Sequence, residues 1–266
     1  MEIAFDLFPG GLRRALTMSF DDGKDCDLKL ADMFDQYGIK GTFHLNSGNL
    51  NKPTFLTTED VRKLSMNHEI SVHGSTHPFL DKIPLAFALQ EVIEDKRCLE
   101  GITGWPVRGM SYPYGTFHDG LITVLKATGM EYSRTIQNTG SFYLPEDFMK
   151  WNPTCHQSQD LDKLWDKFMK FNKHIRLFYI WGHSYEFERD NSWKRMEEFC
   201  RTAGSNSEIW YATNIQIKEY ITAMRNLIFT TDKNMVYNPS ATEVWLTAEG
   251  EAVSIKAGET KKLLKD

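Results

Sequence analysis

The segment SFDDG, residues 19–23, sets two carboxylates, Asp21 and Asp22, side by side behind the apolar run ALTMSF. Like charges at that spacing repel unless a cation neutralises one of them. The segment HGSTH supplies the means to hold one: His73 and His77 are four residues apart, which on a helical turn would put both imidazoles on the same side. Two neutral imidazoles and one carboxylate, for which Asp22 is the candidate, form a common zinc-type ligand set that leaves positions for water and substrate. The H-x-x-x-H pair is not specific by itself, and adjacent acids before a glycine more often make a solvated turn or a helix cap. A calcium loop is excluded, because Asp21, Asp25 and Asp27 do not follow D-x-[DN]-x-[DN]-G with its closing glutamate. A phosphatase with an aspartyl nucleophile would want D-x-D after the strand, and here the acids are contiguous.

Bringing these residues together requires strands that end in one place. The runs ALTMSF, GTFHLN, EISVH, VRGMSYP, EYSRTI, RLFYIWGH and EIWYATN are rich in β-formers and predict seven strands. Between them lie amphipathic stretches, one marked by Leu85, Leu89, Val92, Ile93 and Leu99, another by Leu161, Leu164, Trp165 and Phe168. Seven βα-like units imply a mostly parallel sheet, open or closed into a barrel, with function at the carboxyl ends of the strands. Asp21 and Asp22 follow the first strand, His73 ends the third, Pro113 and Tyr114 follow the fourth, and His183 ends the sixth. After about residue 228 the pattern changes to the alternation EVWLTAEGEAVSIKAGETKK, with Glu249 and Gly250 placed to turn a hairpin. The expected division is a catalytic domain over 1–228 and a small β-rich appendage over 229–266 that packs on it.

A chain of 266 residues with 41% hydrophobic content can bury a large core. Its net charge is −5, from 31 basic and 36 acidic residues, and no basic stripe stands out, which argues against a nucleic-acid or anionic-membrane partner. The start, MEIAFDLFPGG, lacks the charged and apolar regions of a secretory signal, and no run is long enough to cross a bilayer, so a cytoplasmic protein is expected. Cys26, Cys98, Cys155 and Cys200 lie far apart without C-x-x-C spacing and are expected as reduced thiols, not as a disulfide framework or a thiolate zinc site.

Taken together and in order, these motifs closely resemble those of the polysaccharide deacetylase family, the NodB-homology domain also called carbohydrate esterase family four. SFDDG is similar to the family's T-F-D-D-G, HGSTH to H-[ST]-x-x-H, YPYG to its third motif and WGHS to its last, over roughly residues 12–225. The resemblance implies an α/β fold, a distorted (β/α)7 barrel, here with a short C-terminal β appendage. It implies Asp21 as general base, Asp22, His73 and His77 as ligands of zinc or another divalent transition metal, and His183 as general acid. It also implies an oxyanion contact from the backbone N–H near Tyr114. On this reading Asp22 gives up its repulsive field to the cation, and Asp21 stays ionised to take a proton from metal-bound water.

The chain departs from the family's pattern in places. Family members commonly carry an arginine directly before PPYG that holds the base. Here Ser111 and Tyr112 stand in that neighbourhood, and Arg108 is the nearest candidate for the tether. The family's aspartate–tryptophan pair, which orients the acid histidine, is not recognisable in MEYSRTIQNTGSF, where Arg134 sits. The following KWNPTCHQSQD offers Trp151, His156 and Asp160 as replacements, with a lone His156 more often structural than functional. Gly74 stands where serine or threonine is usual, and Trp181 is either an apolar wall for an acetyl methyl or core. His44, His68, His118 and His174 are expected to be structural or exposed. The resulting expectation is a metal-dependent hydrolase that removes acetyl groups from an N- or O-acetylated saccharide. The alternatives are an amide hydrolase of a non-sugar cyclic amide or imide on the same scaffold, and a non-catalytic saccharide-binding protein.

Overall fold

The structure is a computed structural model in which residues 2–170 and 174–263 are described. In chain order the elements are β1 (Ile3–Ala4), β2 (Arg14–Asp21), α1 (Cys26–Gln36), β3 (Gly41–Leu45), α2 (Thr58–Leu64), β4 (Glu69–Val72), α3 (Leu85–Thr103), β5 (Gly109–Ser111), α4 (Asp119–Ala127), β6 (Tyr132–Arg134), β7 (Cys155–His156), α5 (Leu161–Lys170), β8 (Arg176–Gly182), α6 (Tyr185–Arg189), α7 (Trp193–Ala203), β9 (Ile209–Tyr211) and α8 (Asn214–Arg225). Five short strands complete the chain: β10 (Ile228–Phe229), β11 (Met235–Tyr237), β12 (Val244–Ala248), β13 (Glu251–Ile255) and β14 (Thr260–Lys262).

A curled parallel sheet runs β6-β5-β4-β3-β2-β8-β7, with β9 paired to β2 off that path. The expected distorted barrel is therefore the observed fold. All seven strands read from the apolar runs form. The eighth, β7, was not anticipated, because two residues inside the polar segment KWNPTCHQSQD carry no pattern of their own. β9 joins Arg14–Leu16 of β2, whereas β3 joins Met18–Asp21, so the two share one edge of the same strand end to end. Between β6 and β8 the seam is carried by Trp151, whose N–H donates to the Ser133 carbonyl at 3.1 Å and whose carbonyl accepts from Thr135 at 3.0 Å.

Strand alternation decides which residues reach the site. In β2, Leu16, Met18 and Phe20 face the helical layer and join the large core cluster, together with Phe43, Leu45, Ile70, Val72, Phe178 and Ile180. Period 2 then sends Thr17, Ser19 and Asp21, Thr42 and His44, Glu69 and Ser71, and Tyr179 to the barrel interior. That interior is polar and internally bonded. Thr17 donates to Asn214 at 2.8 Å, Thr42 and Tyr132 donate to Glu69 at 3.0 and 2.8 Å, and Ser71 meets the Tyr132 hydroxyl at 3.2 Å. α8, started by a Thr213/Gln216 capping box, packs Ile217, Tyr220, Ile221 and Met224 with Phe8, Ala15 and Leu177 in a second cluster.

Glu249 and Gly250 both have positive φ and turn the β12–β13 hairpin, as the alternation predicted. β1 pairs with β12, Ile3 opposite Ala248, so the first strand of the chain lies in the same small sheet as that hairpin. Among the described residues no helix is long and apolar enough to cross a membrane.

Candidate active site

The carboxyl ends of β2, β4, β5, β6 and β8 converge on Asp21, Asp22, His73, Ser111, Arg134 and His183. Asp22 is the first residue past β2, and its backbone turns there with φ 81°. Its Oδ1 lies 3.6 Å from Nε2 of His73 and 3.6 Å from Nε2 of His77, and the two imidazole nitrogens are 3.1 Å apart. The expected trio thus converges, although not on a helical turn. Residues 73–77 form a loop after β4, bent by Gly74 at φ 78° and His77 at φ 60°. The glycine that replaces the usual hydroxyl residue sits where a left-handed backbone favours it. Tyr114, at φ 58°, closes the same rim: its ring lies 4.5 Å from that of His77 and stacks on Phe79 at 3.7 Å. Three non-glycine residues with positive φ in one cluster mark local strain held by the surrounding packing.

Groups behind the trio fix His73. Its backbone N–H donates to Asp95 of α3 at 3.0 Å, and Asn46, at the end of β3, donates to the carbonyls of His73 and Gly74 at 2.9 and 2.7 Å. Nδ1 of His73 lies 3.0 Å from the Ser111 carbonyl, an acceptor only, which places the proton on Nδ1 and leaves the Nε2 lone pair facing Asp22. Burial holds the imidazole below its usual pKa against the pull of Asp21 and Asp22, so it is neutral near pH 7. A neutral imidazole is the form that coordinates a metal.

Asp21 is buried, which alone would raise its pKa; the Arg134 guanidinium, with His73, His44 and His183, outweighs burial and holds the carboxylate well below its ordinary range. Arg134 Nη2 contacts Oδ2 directly, and the Ser111 hydroxyl donates to Oδ1 at 3.2 Å. Arg134 is itself fully buried, donates to the Thr135 carbonyl at 3.0 Å, and lies over the Trp181 ring at 4.4 Å. The expectation that Arg108 tethers Asp21 is corrected here. Arg108 precedes β5 and so lies at the amino end of the barrel, where it pairs with Glu131 at 3.0 Å and Glu219 at 2.5 Å. Its neighbour in the sheet supplies the tether instead: Arg134 ends β6, one strand over and at the carboxyl end. Arg134 was visible in the sequence only as an odd residue in a missing motif.

His183 follows β8 with its Nδ1 3.5 Å from Oε1 of Glu186. The Trp181 ring, 5.8 Å from it, is nearly buried and donates through Nε1 to Asn138 at 2.8 Å. Glu186 also lies 3.1 Å from Nε2 of His156. His44 is buried beside Asp21 in the β2–β3 register, both its ring nitrogens are buried without a hydrogen-bond partner among the described residues, and burial pushes its pKa down. The four cysteines are free thiols.

Ligands about 2.0–2.1 Å from a tetrahedral ion stand about 3.3 Å apart. The donor separations in the Asp22, His73 and His77 trio, 3.1 to 3.6 Å, fit that edge length, and the donor chemistry is that of a zinc-type site. The class that fold and site define is an α/β barrel protein with a candidate divalent-metal site at the carboxyl ends of its strands. Residues 11–133 match the sequence profile of the polysaccharide deacetylase family, the one the motifs resemble. No curated protein sequence matches the chain. Among solved structures, it is similar to a Mycobacterium smegmatis protein classed as a polysaccharide deacetylase, with TM-score 0.63 and 16% identity over 85% of this chain and 96% of that one. It is similar also to PuuE allantoinase, with TM-score 0.63 and 13% identity over 79% and 91%. Streptococcus pyogenes deacetylase PplD, at 17% identity and TM-score 0.48, is matched over 50% of this chain, which spans 61% of its length.

Proposed function

We propose that the chain is a metal-dependent hydrolase that removes an acetyl group from an N- or O-acetylated saccharide. The observation that carries this reading is the division of labour between two adjacent carboxylates. Asp22 faces two imidazole nitrogens, while Asp21 is kept anionic by Arg134 and Ser111 beside them. Asp22, His73 and His77 would hold zinc or a similar divalent cation. When bound, such an ion lowers the pKa of water and polarises a carbonyl.

Asp21 accepts the proton of the attacking water as the new C–O bond forms at the acetyl carbon. The backbone N–H near Tyr114 donates to the oxyanion that develops. His183, across the cleft, gives its proton to the departing nitrogen or oxygen as the old bond breaks, so acetate and a free amine or hydroxyl leave. A positioned acid of this kind contributes about 10²- to 10⁴-fold. Burial works against protonation of His183, but Glu186, Asp21 and Asp22 together raise its pKa, which suits a donor. Trp181, whose indole is fixed through Asn138, forms an apolar wall for the acetyl methyl.

The second reading is hydrolysis of a cyclic amide or imide on the same scaffold. It is raised by the chain's departures from the third and fourth motifs of the family it resembles, with Arg134 of β6, and not a residue before YPYG, tethering the base. The test is to assay the zinc-loaded full chain on acetylated chito- and xylo-oligosaccharides and, in parallel, on cyclic imides. Acetate release is the expected result. Ring opening without acetate release would replace the first reading with the second, and turnover of neither would remove both.

A further inference from the structure

Resting on the hydrolase reading above, we propose that Glu186 is the positioning residue of the acid histidine: it holds His183 through Nδ1 so that Nε2 faces the cleft, and His156 and Gln157 hold Glu186. The carboxylate comes from the first turn of the helix that follows His183, three residues on, and is therefore local to it.

The hydrogen-bond roles around Glu186 are fixed by groups that have only one choice. The Ser158 backbone N–H donates to Nδ1 of His156 at 3.2 Å, so Nδ1 carries the lone pair and Nε2 the proton. That Nε2 points at Oε2 of Glu186, 3.1 Å away. Gln157 donates to the same Oε2 at 2.7 Å and to the His183 carbonyl at 3.0 Å, tying carboxylate and histidine to one amide. Arg189 lies 3.6 Å from Oε1. With Oε2 occupied, Oε1 is the oxygen left to face His183 Nδ1, a buried nitrogen that makes no other hydrogen bond among the described residues and stands 3.5 Å from it, an ion-pair distance that shortens to a hydrogen bond when the imidazole is protonated. An imidazole whose Nδ1–H meets a carboxylate is oriented, and its imidazolium is stabilised, as in any carboxylate–histidine pair.

His156, His183 and Glu186 also have the donor spacing of a metal trio. The assigned tautomer argues against that use, because the His156 nitrogen that faces Glu186 bears a proton and not a lone pair. The other charged or titratable groups around His183 are Asp21, Asp22, Asp27 and Tyr185, so Glu186 does not act alone on its titration. Glu186 is distinguished from them by its distance and by the donors that aim it.

The experiment compares the full-length chain with Glu186→Gln and Glu186→Asp, using NMR titration of the His183 imidazole and the pH profile of acetate release. In Glu186→Gln an amide N–H₂ must face a donor, either His183 or the His156–Gln157 pair. The expected result is a fall of about 1 pH unit in the His183 midpoint. The basic limb of kcat should move with it, kcat should fall about 10- to 100-fold, and KM should stay within about twofold. Glu186→Asp, whose carboxylate is one methylene shorter, should lie between and serves if the amide variant does not fold. An unmoved His183 midpoint in a folded variant overturns the proposal, as does stoichiometric zinc held by His156, His183 and Glu186. The NMR readout does not depend on turnover, so a chain that releases no acetate but shows the midpoint shift would refute the hydrolase reading and leave the pairing standing.

Discussion

Replacing Arg134 by methionine removes the guanidinium from a carboxylate that has nowhere else to go. Asp21 is 2% exposed and Arg134 fully buried, so neither can recruit solvent. The substitution leaves Asp21 with the 3.2 Å Ser111 hydroxyl as its remaining close donor, strips the Thr135 carbonyl of its 3.0 Å donor, and ends the cation–π contact with Trp181. Breaking one side of a buried pair costs about 3–5 kcal/mol, and the lost carbonyl partner and ring contact place the expectation at the upper end. For a chain of this size that corresponds to a fall in Tm of roughly 10 °C or more. The assay is urea unfolding, with a chelator present so that metal occupancy is equal, of the wild type, Arg134→Met, Asp21→Asn and the double variant. Because the uncompensated charge is the cause, the double variant should recover at least about 2 kcal/mol relative to the sum of the single changes. The sign with pH follows. In the wild type Asp21 has a folded pKa below its unfolded value, so it stabilises above about pH 4 and that contribution is lost as pH falls through the folded value. Without Arg134, burial raises the folded pKa, so the penalty should be larger at pH 7 than at pH 4. Additive single effects, or a penalty under about 1 kcal/mol at pH 7, would refute the reasoning.

Two further outcomes test the barrel interior. Glu69 has its pKa raised by burial from 4.5 to about 7 despite the N–H of Ile215 and the hydroxyls of Tyr132 and Thr42, so the folded state retains a proton that the unfolded state has lost. Stability should therefore fall as pH rises from about 4.5 to about 7, by up to about 3 kcal/mol as a ceiling. In Glu69→Gln, whose amide can donate to Tyr132 and whose oxygen can accept from Thr42 and Ile215, that portion of the slope should vanish in unfolding curves taken across the window. A Cβ on Gly109 would overlap the buried Tyr132 ring, which is bonded to Glu69 and Ser71. Gly109→Ala should thus lower unfolding free energy by about 1–3 kcal/mol, and an unchanged midpoint would show that the ring moves freely.

The fold was legible because its strands are long enough in apolar residues to announce themselves, and because strand alternation carries Asp21 and Ser111 to the inward face without further instruction. The ligand trio was legible as residue types, but the reason for its convergence was not. Spacing four suggested a helix, whereas the loop at 73–77 is shaped by positive φ at Gly74 and His77. β7 escaped notice because its two residues pair only through the neighbouring β8. Arg108 and Arg134 could not be told apart from sequence as partners of Asp21. The choice depends on which end of a strand each occupies, and a one-strand shift in register places Arg134 beside Ser111 and leaves Arg108 at the far rim. Glu186 was missed because no spacing rule separates it from the other acids of YEFERD; the donors that aim it come from residues 156–158.

The central claim, that Asp22, His73 and His77 hold one divalent cation beside an anionic Asp21, is tested most directly by zinc titration of the full chain with elemental analysis. The account expects one zinc per chain in the wild type, loss of at least about 100-fold in affinity for Asp22→Ala and His73→Ala, and unchanged stoichiometry for His183→Ala. Zinc that fails to bind stoichiometrically, or that stays bound when Asp22 and His73 are removed, would contradict it.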